Sequence, residues 1–459
     1  MATVYHPHDQ GYEARRSGFN LAVENRPAVI VDAGSADDVV AAVQLATGSG
    51  RPVAVMATGH GPSVPADDAV LIRTDGMTGV DVDPVRRTAR VTGGTRWRAV
   101  VDAAGRHGLA PLNGSSPHVG VVGYTLAGGI GLLARRFGFA ADHVRRIEVV
   151  TADGSLRHVT ADPGGDDPDG DLFWALRGAG ANFGVVTAVE LDLFPVATLL
   201  GGELGFGADA ADDVLHAYAD WARAVPETIA SSLLLLRYPD DPAVPDDVRD
   251  RHITHIRVAH SRAEGDDDHA EGEAWVERLR RIAPPVLDTV RVMPYTDVGT
   301  IHHEPVDEPV PAFDRNILLR DLDHDAVDLL AKHAGPGADA PFLTELRAWG
   351  GALARPPDVP NAVAGRDAAF SLLAISDPDP TDRARRDTLL TAMAPWGTGG
   401  TYPNFAGVED TAFDAVRRGF RPDDLARLQA LKARLDPDNV FRINHNIPPT
   451  PHPRTGDPS

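Results

Sequence analysis

The sequence predicts an α+β protein built from more than one unit. Three observations carry this reading. A chain of 459 residues is too long for a single compact core. Its N-terminal part opens on a strand–helix–strand unit that closes on a glycine-flanked histidine. After Pro195 the texture changes, and helical segments alternate with strand-like runs, as in a sheet backed by helices.

The elements follow in order. Ala28 to Val31 is a short apolar run suited to a buried strand. Ser35 offers an N-cap, with Asp38 near the helix dipole. Val39, Val40, Val43 and Leu45 then recur at roughly helical spacing, and Gly48 and Gly50 stop the helix. Pro52 to Met56 is a second strand, ending in Thr58-Gly59-His60-Gly61. Ala69 to Gly93, with turns at Asp75-Gly76 and Asp83-Pro84, reads as a small antiparallel sheet. Trp97 to Gly108 reads as a helix. Ile147 to Val150 and Leu156 to Val159 form a hairpin about Asp153-Gly154. Asp162 to Asp171 is an acidic loop, and Phe183 to Phe194 returns to strand pattern. Beyond Pro195, helices are predicted over Ala210 to Ala224 and Ala270 to Ile282. Strands are predicted over Ser232 to Arg237, Ile253 to Ala259, Phe342 to Arg347 and Ala369 to Ile375. The tail beyond Pro449 has lost apolar periodicity and is expected to be mobile.

Composition narrows the function. Apolar residues make up 43% of the chain, and its formal charge is −22. So acidic a surface repels phosphate backbones and anionic membranes, which argues against nucleic acid as a partner. The chain has no cysteine. Disulfides, zinc–thiolate sites, iron–sulfur clusters and a thiol nucleophile are therefore excluded. No apolar leader and no membrane-length stretch is visible, so a cytoplasmic protein is the expectation. His302-His303-Glu304 is the tightest group of metal-ligand types, but it lacks the helical spacing of a metal site, and no metal is expected. No G-x-S-x-G nucleophile elbow is present.

The densest glycine tract runs from Gly114 to Gly138. Five glycines (Gly120, Gly123, Gly128, Gly129 and Gly131) fall within twelve residues. Glycine costs about 0.5–1 kcal/mol in regular structure, so such density suggests special turns or close approach to a ligand. Exposed N–H groups there, with the hydroxyls of Ser115, Ser116 and Thr125, would suit a phosphate or pyrophosphate. Neither the Rossmann pattern nor a Walker A sequence is met. Gly129-Ile-Gly131-Leu-Leu-Ala134 comes close but follows no strand. The cradle belongs to another nucleotide-binding design.

Four motifs, spread across nearly the whole chain, together resemble the FAD-linked oxidases related to berberine bridge enzyme. The first is Val53-Ala-Val-Met56-Ala57-Thr58-Gly59-His60-Gly61. The second is Gly114-Ser115-Ser116 through Val119-Gly120 and Gly123-Tyr124 to Gly128-Gly129-Ile-Gly131. The third is Asn182-Phe-Gly184-Val185-Val186-Thr187. The fourth is Tyr402-Pro-Asn404-Phe405, then Leu435 to Phe441 and Asn446 to Pro449. The resemblance implies a PCMH-type FAD-binding domain of two α+β subdomains over residues 1–196. It implies a substrate domain over 197–395, with an antiparallel sheet backed by helices. A C-terminal segment, 396–449, would return to the FAD domain, leaving 450–459 as a flexible tail.

The resemblance also implies a covalent bond from His60 to the flavin 8-methyl carbon. Many relatives have a second link from cysteine. That position is Ser116 here, so one link is expected. Val119 matches a site said to gate oxygen, where valine resembles oxidases. The implied reaction is hydride transfer from an alcohol, sugar or secondary metabolite to flavin N5, with electrons passed on to dioxygen to give hydrogen peroxide. The glutamate base of the plant alkaloid enzymes aligns with Ala374. Tyr402 is then the first candidate for the base, with Glu345, Arg347 and Tyr124 as further candidates around the ring. Two rivals stand beside the oxidase: a dehydrogenase with another acceptor, and a redox-silent cyclase or binding scaffold.

Overall fold

The computed structural model describes residues 2–61, 64–161, 169–242, 244, 246, 248–262, 268–304 and 309–450. The expected mobile tail beyond Thr450 and most of the acidic loop 162–168 lie outside the described residues. Three sheets organise the chain.

The first sheet holds β1 (Thr3–Tyr5), β2 (Val29–Asp32), β3 (Val53–Met56) and β4 (Val70–Arg73), in the order β1-β2-β4-β3. Strands β2, β4 and β3 run parallel. Between β2 and β3 the helix Ala36–Gly48 is capped as read, with Ser35 Oγ accepting from Asp38 N at 3.3 Å. Parallel strands bring their C-terminal ends to one edge, where ligands of such sheets bind. His60 lies in the loop leaving β3 at that edge.

The second sheet is antiparallel. It holds β5 (Val80–Asp83), β6 (Thr88–Thr92), β7 (Val144–Val150), β8 (Leu156–Thr160) and β9 (Val185–Asp192), in the order β5-β6-β9-β7-β8. The stretch Ala69 to Gly93 is therefore not one small antiparallel sheet. β4 pairs parallel with β2 and β3, while β5 and β6 join β9. The apolar run Val70–Ile72, buried on both faces, has the pattern of a parallel rather than a hairpin strand. The chain end returns to these cores. Val440 and Phe441 are buried with the first sheet, and Leu428, Leu431 and Ile447 with the second.

The third sheet holds β10 (Thr198–Gly207), β11 (Ile229–Arg237), β12 (His252–His260), β13 (Leu287–Asp288), β14 (Arg291–Pro294), β15 (Phe313–Leu319), β16 (Leu343–Ala348) and β17 (Phe370–Ser376). It is antiparallel throughout, in the order β13-β10-β12-β11-β16-β17-β15, with β14 beside β10. Successive side chains alternate between faces. Leu204, Leu233, Ile256, Leu346 and Leu372 pack with helices Ala211–Ala224, Ala270–Arg280, His324–Ala334 and Pro380–Met393. The opposite face carries Glu203, Arg257, Ser232, Arg347 and Ser371, one register row across five strands.

Candidate active site

His60 is fixed by two neighbours. Its Nδ1 lies 2.9 Å from Thr58 Oγ1, and its ring stacks on Phe19 at 4.0 Å and 11°. Burial, then Arg96 and His118, push its pKa down to about 4. The glycine tract approaches this loop directly: a Cβ on Gly120 would stand 3.7 Å from Ala57 Cβ and from Thr58 Oγ1. The approach is pinned by Trp97 N donating to Val119 O (3.1 Å) and Val121 N to Thr95 O (2.9 Å). Ser115 is partly buried beside buried Ser116, whose Oγ accepts from His118 N at 3.4 Å. Met56 to Gly61 and Ser115 to Gly123 thus form neighbouring loops.

The glycines divide into two kinds. Gly131 needs to be glycine because an added Cβ would fall 2.1 Å from Asn113 O. Gly128 and Gly129 have φ of +116° and +76°, and a Cβ would meet Tyr402 Oη at 3.0 Å and the Tyr124 ring at 2.5 Å. At Gly184 it would meet Val150 O at 2.6 Å. At those four a side chain would collide with the protein itself. Gly61 and Gly123 face open space and are exposed. Val185 and Val186 open β9 with buried side chains.

The C-terminal segment is clipped to the tract by Asn404. Its Nδ2 donates to Tyr124 O at 2.9 Å, and its Oδ1 accepts from Gly129 N at 3.0 Å. Asn316 holds Tyr402 from the other side, through its backbone N (2.7 Å) and O (3.1 Å). Tyr402 is consequently sealed among Phe139, Trp349 and Phe405. Its Oη has no hydrogen-bond partner among the described residues. Burial pushes this phenol well above 10, and Arg347 opposes the shift without cancelling it. Tyr124 donates to Leu112 O at 3.2 Å, stacks edge-on against Trp97, and is likewise raised by burial.

Glu345 and Arg347 do share a face of β16. Arg347 Nη2 donates to Glu345 Oε1 and Oε2 at 3.2 and 3.0 Å. Residues from three other elements complete the cluster. Arg257 of β12 lies 3.7 Å from Glu345, and His302 Nε2 lies 3.6 Å from it. Ser232 Oγ of β11 lies 3.5 Å from His302 Nε2. Burial would raise the Glu345 carboxyl, but Arg347, His302 and Arg257 outweigh it and hold it well below the ordinary range. Burial and the nearby guanidinium of Arg257 lower His302, whose Nδ1 is sealed without a partner among the described residues. Ser232, Arg257, His302 and Arg347 line a small cavity of about 20 Å³ that Ile130, Gly131 and Leu132 also line.

Two sequence readings change here. Ala374 is fully buried on the helix-covered face, so it is not the cavity-side position at which a base would stand. His302, read only as part of a metal-type triplet, is a buried cavity residue, while His303 and Glu304 are exposed. No metal-binding group of three side chains occurs among the described residues. Spacing alone could not unite His302, Arg257 and Ser232, because β-pairing does that.

The comparisons with known proteins match this geometry. Residues 27–160 fit the family model of the FAD binding domain, and residues 401–448 fit that named berberine and berberine like. The chain carries the FAD binding domain and the C-terminal segment that mark berberine bridge enzyme-like FAD-linked oxidases. It is 27% identical to (R)-6-hydroxynicotine oxidase of Paenarthrobacter nicotinovorans, over 97% of this chain and 96% of that one. The structure of 6-hydroxy-D-nicotine oxidase from Arthrobacter nicotinovorans superposes with TM-score 0.81, at 24% identity, over 97% and 98% of the two chains. Xylooligosaccharide oxidase from Myceliophthora thermophila C1 gives 0.81 at 22% identity, over 98% of both. Those two likenesses show the shared fold. The chain is therefore an FAD-linked oxidoreductase of the oxidase type.

Proposed function

We propose that the chain binds FAD through Met56 to Gly61, Ser115 to Gly131, Gly184 to Val186 and the segment around Tyr402 and Asn404. It holds the cofactor by one bond from His60 and oxidises a small organic substrate with dioxygen as acceptor. The observation that carries this reading is the convergence of the two glycine-rich loops on His60, at the C-terminal edge of the parallel sheet. Buried polar atoms at Thr125 Oγ1, Asn444 Oδ1 and Asn446 Oδ1 lack partners among the described residues, and Gly123 opens onto free space. A long polar cofactor fits such a set, since buried polar groups are normally paired. Without cysteine a second link is excluded. Residues 1–196 with 396–449 would form the cofactor half, and 197–395 the substrate half.

FAD, when bound, takes two electrons from the substrate; the protein's part is to bind the substrate and handle the proton. The substrate is proposed to bind at the polar face around Arg347, where the cavity of about 20 Å³ has room for about one water and must widen to admit it. Glu345 and His302 are the proposed proton-handling pair. Glu345 stays ionised, and neutral His302 stands beside it with Nε2 3.6 Å from the carboxylate. The relatives named above act on a nicotine derivative and on oligosaccharides; between them they leave the substrate open among amines, sugars and alcohols.

The test is anaerobic mixing of the purified yellow protein with candidate substrates of those three classes, followed by admission of air. Bleaching of the flavin, then recovery of colour with one peroxide per substrate, supports the oxidase. Recovery only with an artificial acceptor makes it a dehydrogenase. A flavin that no member of the panel bleaches, yet that chemical reductants do, favours a redox-silent role.

A further inference from the structure

We propose that Glu203 is a positioning residue for the Glu345–His302 pair, acting through Arg257, whose guanidinium it shares with Glu345, and that His255 steadies Glu203 in that place. The inference rests on the reading of Glu345 and His302 as the proton-handling pair.

Arg257 spans the cluster. Its Nε lies 3.6 Å from Glu203 Oε2, and its Nη1 lies 3.7 Å from Glu345 Oε1. Its Nη2 donates to His302 O at 3.2 Å. One guanidinium thus touches two carboxylates and the backbone of the histidine. Neither carboxylate holds it at hydrogen-bonding distance. Arg347, by contrast, donates to Glu345 at 3.0 Å.

Glu203 is held where it can compete for that guanidinium. Its N donates to Thr289 Oγ1 and its O accepts from Thr289 N, each at 3.0 Å. His255 Nδ1 stands 3.2 Å from Glu203 Oε2, and Tyr238 Oη stands 3.3 Å from His255 Nε2. Gly205 is the register partner of His255 across β10 and β12. A Cβ on Gly205 would already come 3.8 Å from His255 Nδ1, so a longer side chain would crowd the ring. Glycine there leaves His255 room to lean toward Glu203.

The charges decide what this sharing does. A neighbouring cation makes a carboxylate a weaker base, and a neighbouring anion makes it a stronger one. Arg347, His302 and Arg257 already hold Glu345 well below the ordinary range. Glu203 draws Arg257 partly away and adds a second negative charge to the cluster. Glu345 therefore keeps more affinity for a substrate proton than it would with Arg257 to itself. Burial and Arg257 also lower His302, and Glu203 offsets part of that. The other titratable groups that bear on the cluster are Tyr124, Tyr218 and Tyr402, kept neutral by burial, and the exposed Glu304. When Glu345 takes a proton and loses its charge, Arg257 still has Glu203 as its counterion, so that guanidinium is not left buried and unpaired.

The test follows His302 by NMR in holoenzyme carrying ¹³C-labelled histidine, its signal identified by its loss in His302→Gln. In Glu203→Gln the His302 titration should move to lower pH, because Arg257 then bears fully on the pair. In an Arg257→Gln background the same replacement should move it less than about half as far, as a double-mutant cycle reads for a coupled pair. Anaerobic flavin reduction by a substrate that bleaches the wild type should slow about three- to tenfold in Glu203→Gln, as expected of a weaker base, with substrate affinity little changed. Glu203→Asp, which keeps the charge, should recover most of both effects. Thermal midpoints show whether each variant folds. If Glu203→Gln does not, Glu203→Asp carries the comparison with a smaller shift of the same sign. If His302 stays neutral wherever the protein is folded, the same cycle is read in the reduction rate. An unmoved titration and rate in Glu203→Gln, or effects equally large without Arg257, overturn the proposal. A His302 shift with unchanged flavin reduction leaves the hold of Glu203 on the cluster standing and overturns the proton-handling role of the pair.

Discussion

Glu345 and Arg347 stand two residues apart on one strand, and the pleat turns both to the same side. That much is readable from alternation in the sequence. The partners from beyond its own strand are Arg257 of β12 and His302, with Ser232 of β11 behind His302, and only the fold reveals them. Replacing Glu345 by Gln leaves the buried Arg347 guanidinium without its carboxylate, while Arg257 keeps Glu203, at a cost of about 3–5 kcal/mol. On the proposed role it also slows anaerobic flavin reduction by about 10²–10⁴-fold. Tyr402→Phe, by contrast, should change reduction by less than about threefold. That size is small against the loss of a base, and stopped-flow bleaching of the two variants side by side checks the assignment. A 10²-fold effect in Tyr402→Phe would return the base to the phenol. Asp314 offers a cleaner pH test away from the cavity. Its Oδ1 is sealed without a hydrogen-bond partner among the described residues, and desolvation lifts its pKa from 3.8 to about 6 despite Arg386. In the folded protein it therefore keeps a proton that the unfolded chain has lost, so stability falls as pH rises from about 4 to about 6. Asp314→Asn removes that slope. It should stabilise the protein by about 1–3 kcal/mol at pH 7.5 and hardly at all at pH 4, as thermal unfolding at the two pH values would show.

Among the elements, the glycine tract was the strongest signal in the sequence and the most mixed in meaning. Glycine density shows that something approaches the backbone, but it does not say what. At Gly128, Gly129 and Gly131 the visitor is the protein itself, in the form of Tyr402, Tyr124 and the Asn113 carbonyl. At Gly123, in the helix Val121–Leu126, the space is open. The two kinds separate on substitution. Gly131→Ala should fail to accumulate as folded protein, because its Cβ has no room. Gly123→Ala should fold as well as wild type or better, gaining up to about 1 kcal/mol of helix propensity, yet lose flavin affinity if that space belongs to the cofactor. Flavin-to-protein absorbance ratios of the purified variants measure both. Strand β10 shows the opposite limit. Gly201, Gly202 and Gly205 disguise it as a linker after Pro195. Gly202 has φ +147° with the Thr289 carbonyl 2.6 Å from where a Cβ would be, so its glycines serve contact with the next strands.

On the scale of the whole molecule, the coarse plan was legible because each half carries its own periodicity, parallel-strand runs first and an alternating sheet later. The joinery was not. Lys432 shows why. It looks like a solvated helix charge in the sequence, yet it is fully buried, donating to Asn182 O, Phe441 O and Asp436 Oδ2. Asp436 in turn accepts from the backbone of Val440 and Phe441. Lys432→Ala leaves that carboxylate buried and unpaired, so a loss of about 3–5 kcal/mol is expected. Chemical denaturation with and without bound flavin would measure it.

The place of Phe441 has a further consequence for how the protein is made. The core beneath the first sheet, which begins at the N-terminus, is finished only by residues near the C-terminus. During synthesis the early part emerges from the ribosome with that core open. It must wait until Val440 and Phe441 are made before that core is complete. Cofactor loading that waits for residue 441 is the order of events this placement implies.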